Sequence, residues 1–342
     1  MKHLFTTIMA VMIGTLLSMS TYADQESIDY AVVAPELRQA AQNINLPPIT
    51  KELLKHRQPP TPWTGAQNSE VSVTQRNIPS TVKTDPDITI YIINAEKGAN
   101  RPGILHTHGG GFVMGSAQND IAKLQTLASQ LDCVIVTVEY RLAPETTYQG
   151  SIEDNYSGLL WMHNNASELG LDNNRIAVMG ESAGGGHAAL LAITARDRQQ
   201  VPVMFQMLIY PMLDDRTATS REVPDHIGQI LWTREYNRIA WEAFLGQTSG
   251  VDDVPHQAVP ARTKSVADLP PAFIGVGSID LFVEEDIGYA LRLINAGITT
   301  ELMVMPGAYH AFDWLAPESR LTKQFNERIV AALQQAFNPT VK

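Results

Sequence analysis

The stretch Ile176-Ala177-Val178-Met179-Gly180-Glu181-Ser182-Ala183-Gly184 decides the fold. Its first four residues make an apolar run suited to a buried strand, and the last five read G-x-S-x-G. A serine in a sharp turn between a strand and a helix presents its Oγ at the top of a sheet, where the backbone N–H groups that follow can face the oxygen of a bound carbonyl. The flanking glycines let strand and helix approach closely and accept backbone angles that a Cβ would forbid. Five residues are a short motif, so the surrounding sequence has to carry the argument.

Upstream, the strand-like run Gly103-Ile104-Leu105-His106-Thr107 leads into His108-Gly109-Gly110-Gly111-Phe112. Three consecutive glycines free backbone N–H groups to turn toward a ligand. Gly109 and Gly110 are therefore the expected oxyanion donors, with the N–H of Ala183 as a third.

A nucleophilic serine needs a base, and the base needs an orienting carboxylate. In the α/β-hydrolases, which this strand–serine–glycine pattern resembles, both follow in chain order, each on a loop after a strand. Asp280 lies just past the apolar run Ala272 to Gly277, and His310 follows Glu301 to Met305 across the Pro306-Gly307 turn. Of the other histidines, His106, His108 and His163 precede the serine, His187 falls in the helix it opens, and His226 and His256 lie in a region without strand signals. Glu284, Glu285 and Asp286 compete for the role of acid but read as the solvated first turn of a helix, so Asp280, nearest the strand end, is preferred.

Together these segments resemble the hormone-sensitive-lipase branch of the α/β-hydrolases, bacterial esterases with H-G-G-G-F, Y-R-L-A-P-E and G-[DE]-S-A-G-G signatures. The second stands here at Tyr140-Arg141-Leu142-Ala143-Pro144-Glu145, and Glu153-Asp154 and His310-Ala311-Phe312 match two further family elements. The chain departs from the family at Asp280-Leu281-Phe282, where D-P-L is usual, and at Tyr148-Gln149-Gly150-Ser151 before the acidic pair. The resemblance implies a serine carboxylesterase with the triad Ser182, Asp280 and His310, acting on small esters of short to medium acyl chain, with no cofactor and no metal. It also implies a helical cap, for which 25–63 and 213–263 are the segments without strand patterns. The same triad could serve a deacetylase of sugars or an amidase, and the fold can also serve as a non-catalytic binding module.

Residues 1–23 read as a secretory signal peptide: Lys2 and His3, an apolar run from Leu4 to Met19, then Thr21-Tyr22-Ala23. The run is shorter than the roughly 20 residues that span a bilayer, so a cleaved leader, export to the periplasm or medium, and no stable membrane insertion are expected. Cys133, the single cysteine, sits in an apolar strand and permits no internal disulfide. A net charge of −11 opposes nucleic acid as a partner, and the oligomeric state is left open.

Residues 24–342 then form one domain. Two strands, 70–78 and 87–94, open the sheet, and strands near Ile104, Val134, Ile176, Met204, Phe273 and Leu302 alternate with helical stretches. Such alternation predicts a mostly parallel, eight-stranded sheet flanked by helices, with antiparallel pairing only between the first two strands.

Overall fold

The computed structural model describes residues 28–44, 48–57 and 70–338. The leader expected over 1–23 lies outside the described residues, as do parts of 25–63. Among the described residues, no helix is long and apolar enough to cross a membrane.

Eight strands form one sheet: β1 (Val73–Ile78), β2 (Ile88–Ile93), β3 (Arg101–Thr107), β4 (Val134–Glu139), β5 (Leu171–Glu181), β6 (Phe205–Ile209), β7 (Ala272–Gly277) and β8 (Thr300–Met305). Their spatial order is β1-β2-β4-β3-β5-β6-β7-β8. Every pairing from β4 through β8 is parallel, as the alternation of strand and helix requires. The strand β2 runs against both its neighbours, β1 and β4. The second of these antiparallel pairs extends the expectation, which confined such pairing to the first two strands. It arises because β4 inserts between β2 and β3, an arrangement that the local pattern does not encode.

Helices cover both faces. On one lie α1 (Ile121–Leu131) and α6 (Arg320–Phe337); on the other lie α2 (Tyr148–Asn164), α3 (Ala183–Arg198) and α5 (Val283–Asn295), while α4 (Arg234–Leu245) belongs to the segment between β6 and β7. Central strands are apolar on both sides because each face meets helices. In β5, Ala177 and Met179 join the cluster with Leu124 and Phe325, whereas Val178 joins Leu159 and Leu191 on the opposite side. Cys133 is fully buried in the first cluster, and burial pushes its thiol up to about 12, leaving it a packing residue.

The chain proceeds outward from β3 to β4 in one direction and from β5 to β8 in the other. Loops leaving the carboxyl ends of the adjacent strands β3 and β5 therefore diverge, and open α/β sheets place ligands in the crevice this creates. The H-G-G-G-F loop follows β3 and Ser182 follows β5.

A third apolar cluster lies beyond that crevice. It joins Phe112 and Ala183 to Trp232, Ile239, Trp241, Phe244 and Leu245 of the segment 213–263, and to Leu281 and Phe282. The N-terminal arm docks against the β8 loop, where Ala34 N donates to Gly307 O at 2.9 Å and the Tyr309 hydroxyl to Leu37 O at 3.4 Å, and its Ile49 and Leu54 join the third cluster.

Candidate active site

Ser182 sits at the junction of β5 and α3 with φ 57° and ψ −123°, a left-handed backbone that a side chain rarely adopts. Tight surroundings hold it there. A Cβ on Gly184 would lie 2.0 Å from Thr107 O, and one on Gly180 would lie 2.3 Å from Gly184 O, so only glycine lets the turn press against the end of β3. The serine's own N–H is spent on Ile209 O at 2.9 Å. Ala183 opens α3, where the first N–H groups of a helix have no intrahelical acceptor.

The triad residues, far apart in sequence, converge. His310 Nε2 lies 2.9 Å from Ser182 Oγ, and His310 Nδ1 lies 2.8 Å from Asp280 Oδ2. The other carboxylate oxygen of Asp280 accepts the Phe282 N–H at 3.0 Å, which fixes the acid's rotamer. Exposure is 7 % for Ser182, 4 % for His310 and nil for Asp280, so the constellation is shielded while the serine is still reachable. The imidazole is boxed in by Tyr210 and Phe282 at ring-centroid separations of 5.0 and 5.1 Å.

Gly109 lies against the nucleophile, with Ser182 Cβ 3.6 Å from where its own Cβ would be. Gly110 anchors the loop through its carbonyl, which accepts from Val113 N and Met114 N at 3.1 and 2.9 Å. The Tyr140-to-Glu145 segment buttresses this loop from behind. The Tyr140 hydroxyl donates to His108 O at 2.7 Å, its ring stacks on the His108 imidazole at 4.1 Å, and Ala143 N donates to Phe112 O at 2.9 Å. Arg141 meanwhile forks onto buried Asp154 of the acidic pair.

His187, set aside for its place in the helix that Ser182 opens, and His108, set aside on chain order, stay out of the proton path. His187 packs against Phe112 and Tyr140, where burial lowers its imidazole to about 3. Burial likewise lowers His108 to about 4. Both stay neutral at ordinary pH.

Glu181, next to the nucleophile, points into a polar network that short motifs do not reveal. Its carboxylate meets Lys123 Nζ at 2.7 Å and His106 Nε2 at 2.9 Å, and His106 Nδ1 meets Thr137 Oγ1 at 2.9 Å. Burial alone would raise this carboxyl, but the nearby Lys123 and His106 outweigh burial and hold it well below the usual carboxylate range. A depressed folded value means that its stabilisation is complete above the ordinary 4.5 and is lost as pH falls below it. Lys123→Met leaves that buried carboxylate without its cation; because the Lys123 side chain is half-exposed, solvent screening holds the cost to about 1 kcal/mol. The melting temperature should therefore drop at pH 7, and the gap to the unmutated protein should close on acidification below 4.5; a gap independent of pH would contradict the pairing.

One expectation needs correcting. Glu284 is exposed, as a solvated first helical turn requires, but Glu285 and Asp286 are buried. Glu285 accepts the N–H groups of Leu213 and Asp214 at 2.6 and 3.2 Å and the Thr217 hydroxyl, tying the segment after β6 to α5. Burial pushes the carboxyls of both residues well above their usual range. A carboxyl group held by main-chain donors 71 and 72 residues away in sequence leaves no local signature. Among the described residues, no group of three or more His, Cys, Asp or Glu side chains is placed to hold a metal ion.

Known proteins bear on this geometry. A family profile described as alpha/beta hydrolase fold matches residues 104–313. Carboxylesterase NlhH of Mycobacterium tuberculosis is 32% identical over 278 residues, covering 79% of this chain and 84% of its own. Among solved structures, esterase LipW from Mycobacterium marinum superposes with a TM-score of 0.78 at 30% identity, covering 91% of this chain and 98% of that one. A bacterial heroin esterase matches equally well, with a TM-score of 0.78, 32% identity, and coverage of 90% and 99%.

Proposed function

This chain belongs to the α/β-hydrolase family, in its hormone-sensitive-lipase-like branch, and from that premise we propose that it cleaves small carboxylic esters through an acyl-Ser182 intermediate. It is a carboxylic ester hydrolase, the activity that the names of several of its relatives carry. The observation that carries the mechanistic reading is the continuous line of contacts from Asp280 through His310 to Ser182, at 2.8 and 2.9 Å.

Neutral His310 takes the Ser182 proton at Nε2 as Oγ bonds to the ester carbonyl carbon. Asp280 holds Nδ1–H and stabilises the imidazolium that results. Negative charge collects on the carbonyl oxygen, which the N–H groups of Gly109, Gly110 and Ala183 face without reorganising. When the tetrahedral adduct collapses, the C–O bond to the alcohol breaks and His310 returns its proton to the departing oxygen. Water, deprotonated by the same imidazole, then attacks the acyl-serine and releases the acid. The segments 25–63 and 213–263 serve as a cap over this chemistry, and the leader at 1–23 directs export.

A panel of short-chain and medium-chain acyl esters, acetylated sugars and anilides tests the reading through kcat/KM. Simple esters should lead both other groups. Faster turnover of acetylated sugars would favour a deacetylase, and of anilides an amidase.

A further inference from the structure

Trp232, on the segment between β6 and β7, occupies a place that the catalytic mechanism does not use. A Cβ on Gly111 would lie 2.1 Å from its Cη2, so the indole rests directly on the third glycine of the oxyanion loop. Its ring centroid is also 6.2 Å from that of His310. The side chain thus spans the gap between the loop that receives the carbonyl oxygen and the histidine that protonates the leaving group.

Its position is rigidly specified. Leu231 before it takes a left-handed φ of 64°, and Trp232 N donates to Ile230 O at 2.8 Å. The indole N–H reaches Asn237 Oδ1 at 3.3 Å, while Asn237 Nδ2 donates to Thr217 O at 2.9 Å. The turn itself is fastened to the loop bearing Asp280, through Gly228 N to Ile279 O at 3.2 Å. Swinging the indole aside would break its bond to Asn237, whose own amide is anchored on Thr217 O.

The direction in which such a wall acts follows from the reaction. Once the carbonyl carbon is at Ser182 Oγ and its oxygen faces the amides, the leaving oxygen must come within hydrogen-bond reach of His310 Nε2. The substituent on that oxygen therefore starts against the imidazole and has to run out past the rings around it. Phe282 is fully buried, and Tyr210 is pinned from beneath by its hydroxyl bond to Asp313 at 2.9 Å. Of the three, Trp232 is the ring set against Gly111 of the oxyanion loop.

We propose that Trp232 limits the size of the alcohol half of the ester, so that the enzyme takes esters of small alcohols while the opposite side sets the acyl range. This rests on the triad reading above and deepens it. The test is kcat/KM for two series, acetates of ethyl to hexyl alcohol and ethyl esters of two-carbon to six-carbon acids, with the unmutated protein, Trp232→Ala and Trp232→Phe. Misfit by a methylene costs about tenfold or more in a closed apolar pocket. The unmutated protein should lose at least about tenfold from ethyl to hexyl acetate, and Trp232→Ala should regain about that factor on hexyl acetate while the acid series keeps its shape. Trp232→Phe should lie between them and carries the test if the alanine variant melts below the assay temperature. An unchanged alcohol profile in a folded variant, or a shift confined to the acid series, overturns the proposal. Absence of turnover on every ester by the unmutated protein overturns the triad reading itself and this proposal with it.

Discussion

Replacing Ser182 with alanine should cut ester turnover by about a millionfold, the scale of loss when a serine hydrolase is deprived of its nucleophile. The residual rate would come from the amides of the oxyanion loop and from binding. Removing one oxygen leaves the fold intact, because the left-handed turn is held by main-chain bonds, Ser182 N to Ile209 O and Met212 N to Ser182 O, both 2.9 Å, that alanine keeps. Alanine at φ 57° is no more strained than serine. Circular dichroism and melting should therefore match the unmutated protein while kcat collapses. Turnover within a few-fold of normal would end the nucleophile assignment.

The second large effect is expected at Asp280. Asparagine is nearly isosteric, but it can present an N–H to His310 Nδ1 and so forces the other tautomer. His310 Nε2 then carries the proton and can no longer accept the one from Ser182. A loss of about ten thousandfold in kcat follows from this inversion in other triads, with KM little changed. The neighbouring carboxyls supply the control. Glu284→Gln alters an exposed side chain and should leave kcat within a few-fold. Comparable losses in both variants would mean that the acid has been misassigned, since Asp280 alone among these carboxyls contacts His310.

Why the centre could be read from sequence, and its surroundings could not, follows from where each kind of information lies. Ser182, the H-G-G-G loop, Asp280 and His310 each sit at the carboxyl end of a strand, and strands announce themselves by short apolar runs. Chemistry restricts the residue types at those ends, so order along the chain was enough to align the three. Wider placements depend on pairings between distant segments. The insertion of β4 between β2 and β3, which makes β2 antiparallel on both sides, is a property of the sheet and of no single strand. Glu285 looks like a solvated helix start because its donors at Leu213 and Asp214 lie some 70 residues earlier. Trp232 shares a stripe of apolar residues with Trp241 and Phe244, and nothing in that spacing separates a residue of the apolar cluster from one poised over the histidine. Glu181 is the intermediate case: the turn's geometry directs it away from the attacking oxygen, yet its partners Lys123 and His106 come from α1 and β3 and appear only in three dimensions.

The pH behaviour of the site follows from the same placement. His108 and His187 are held neutral by burial, so they add no ionisation to the working range. Stability at the acid end should instead follow the carboxylate of Glu181, whose contribution fades as the pH drops below 4.5.

The most direct measurement is mass-spectrometric mapping after treatment with a fluorophosphonate, which reacts with an activated serine and leaves a stable adduct. One equivalent should appear on the peptide containing Ser182, with ester turnover lost in proportion to labelling and no adduct in Ser182→Ala. Folded, ester-hydrolysing protein that stays unlabelled, or that carries the adduct on another residue, would contradict the account.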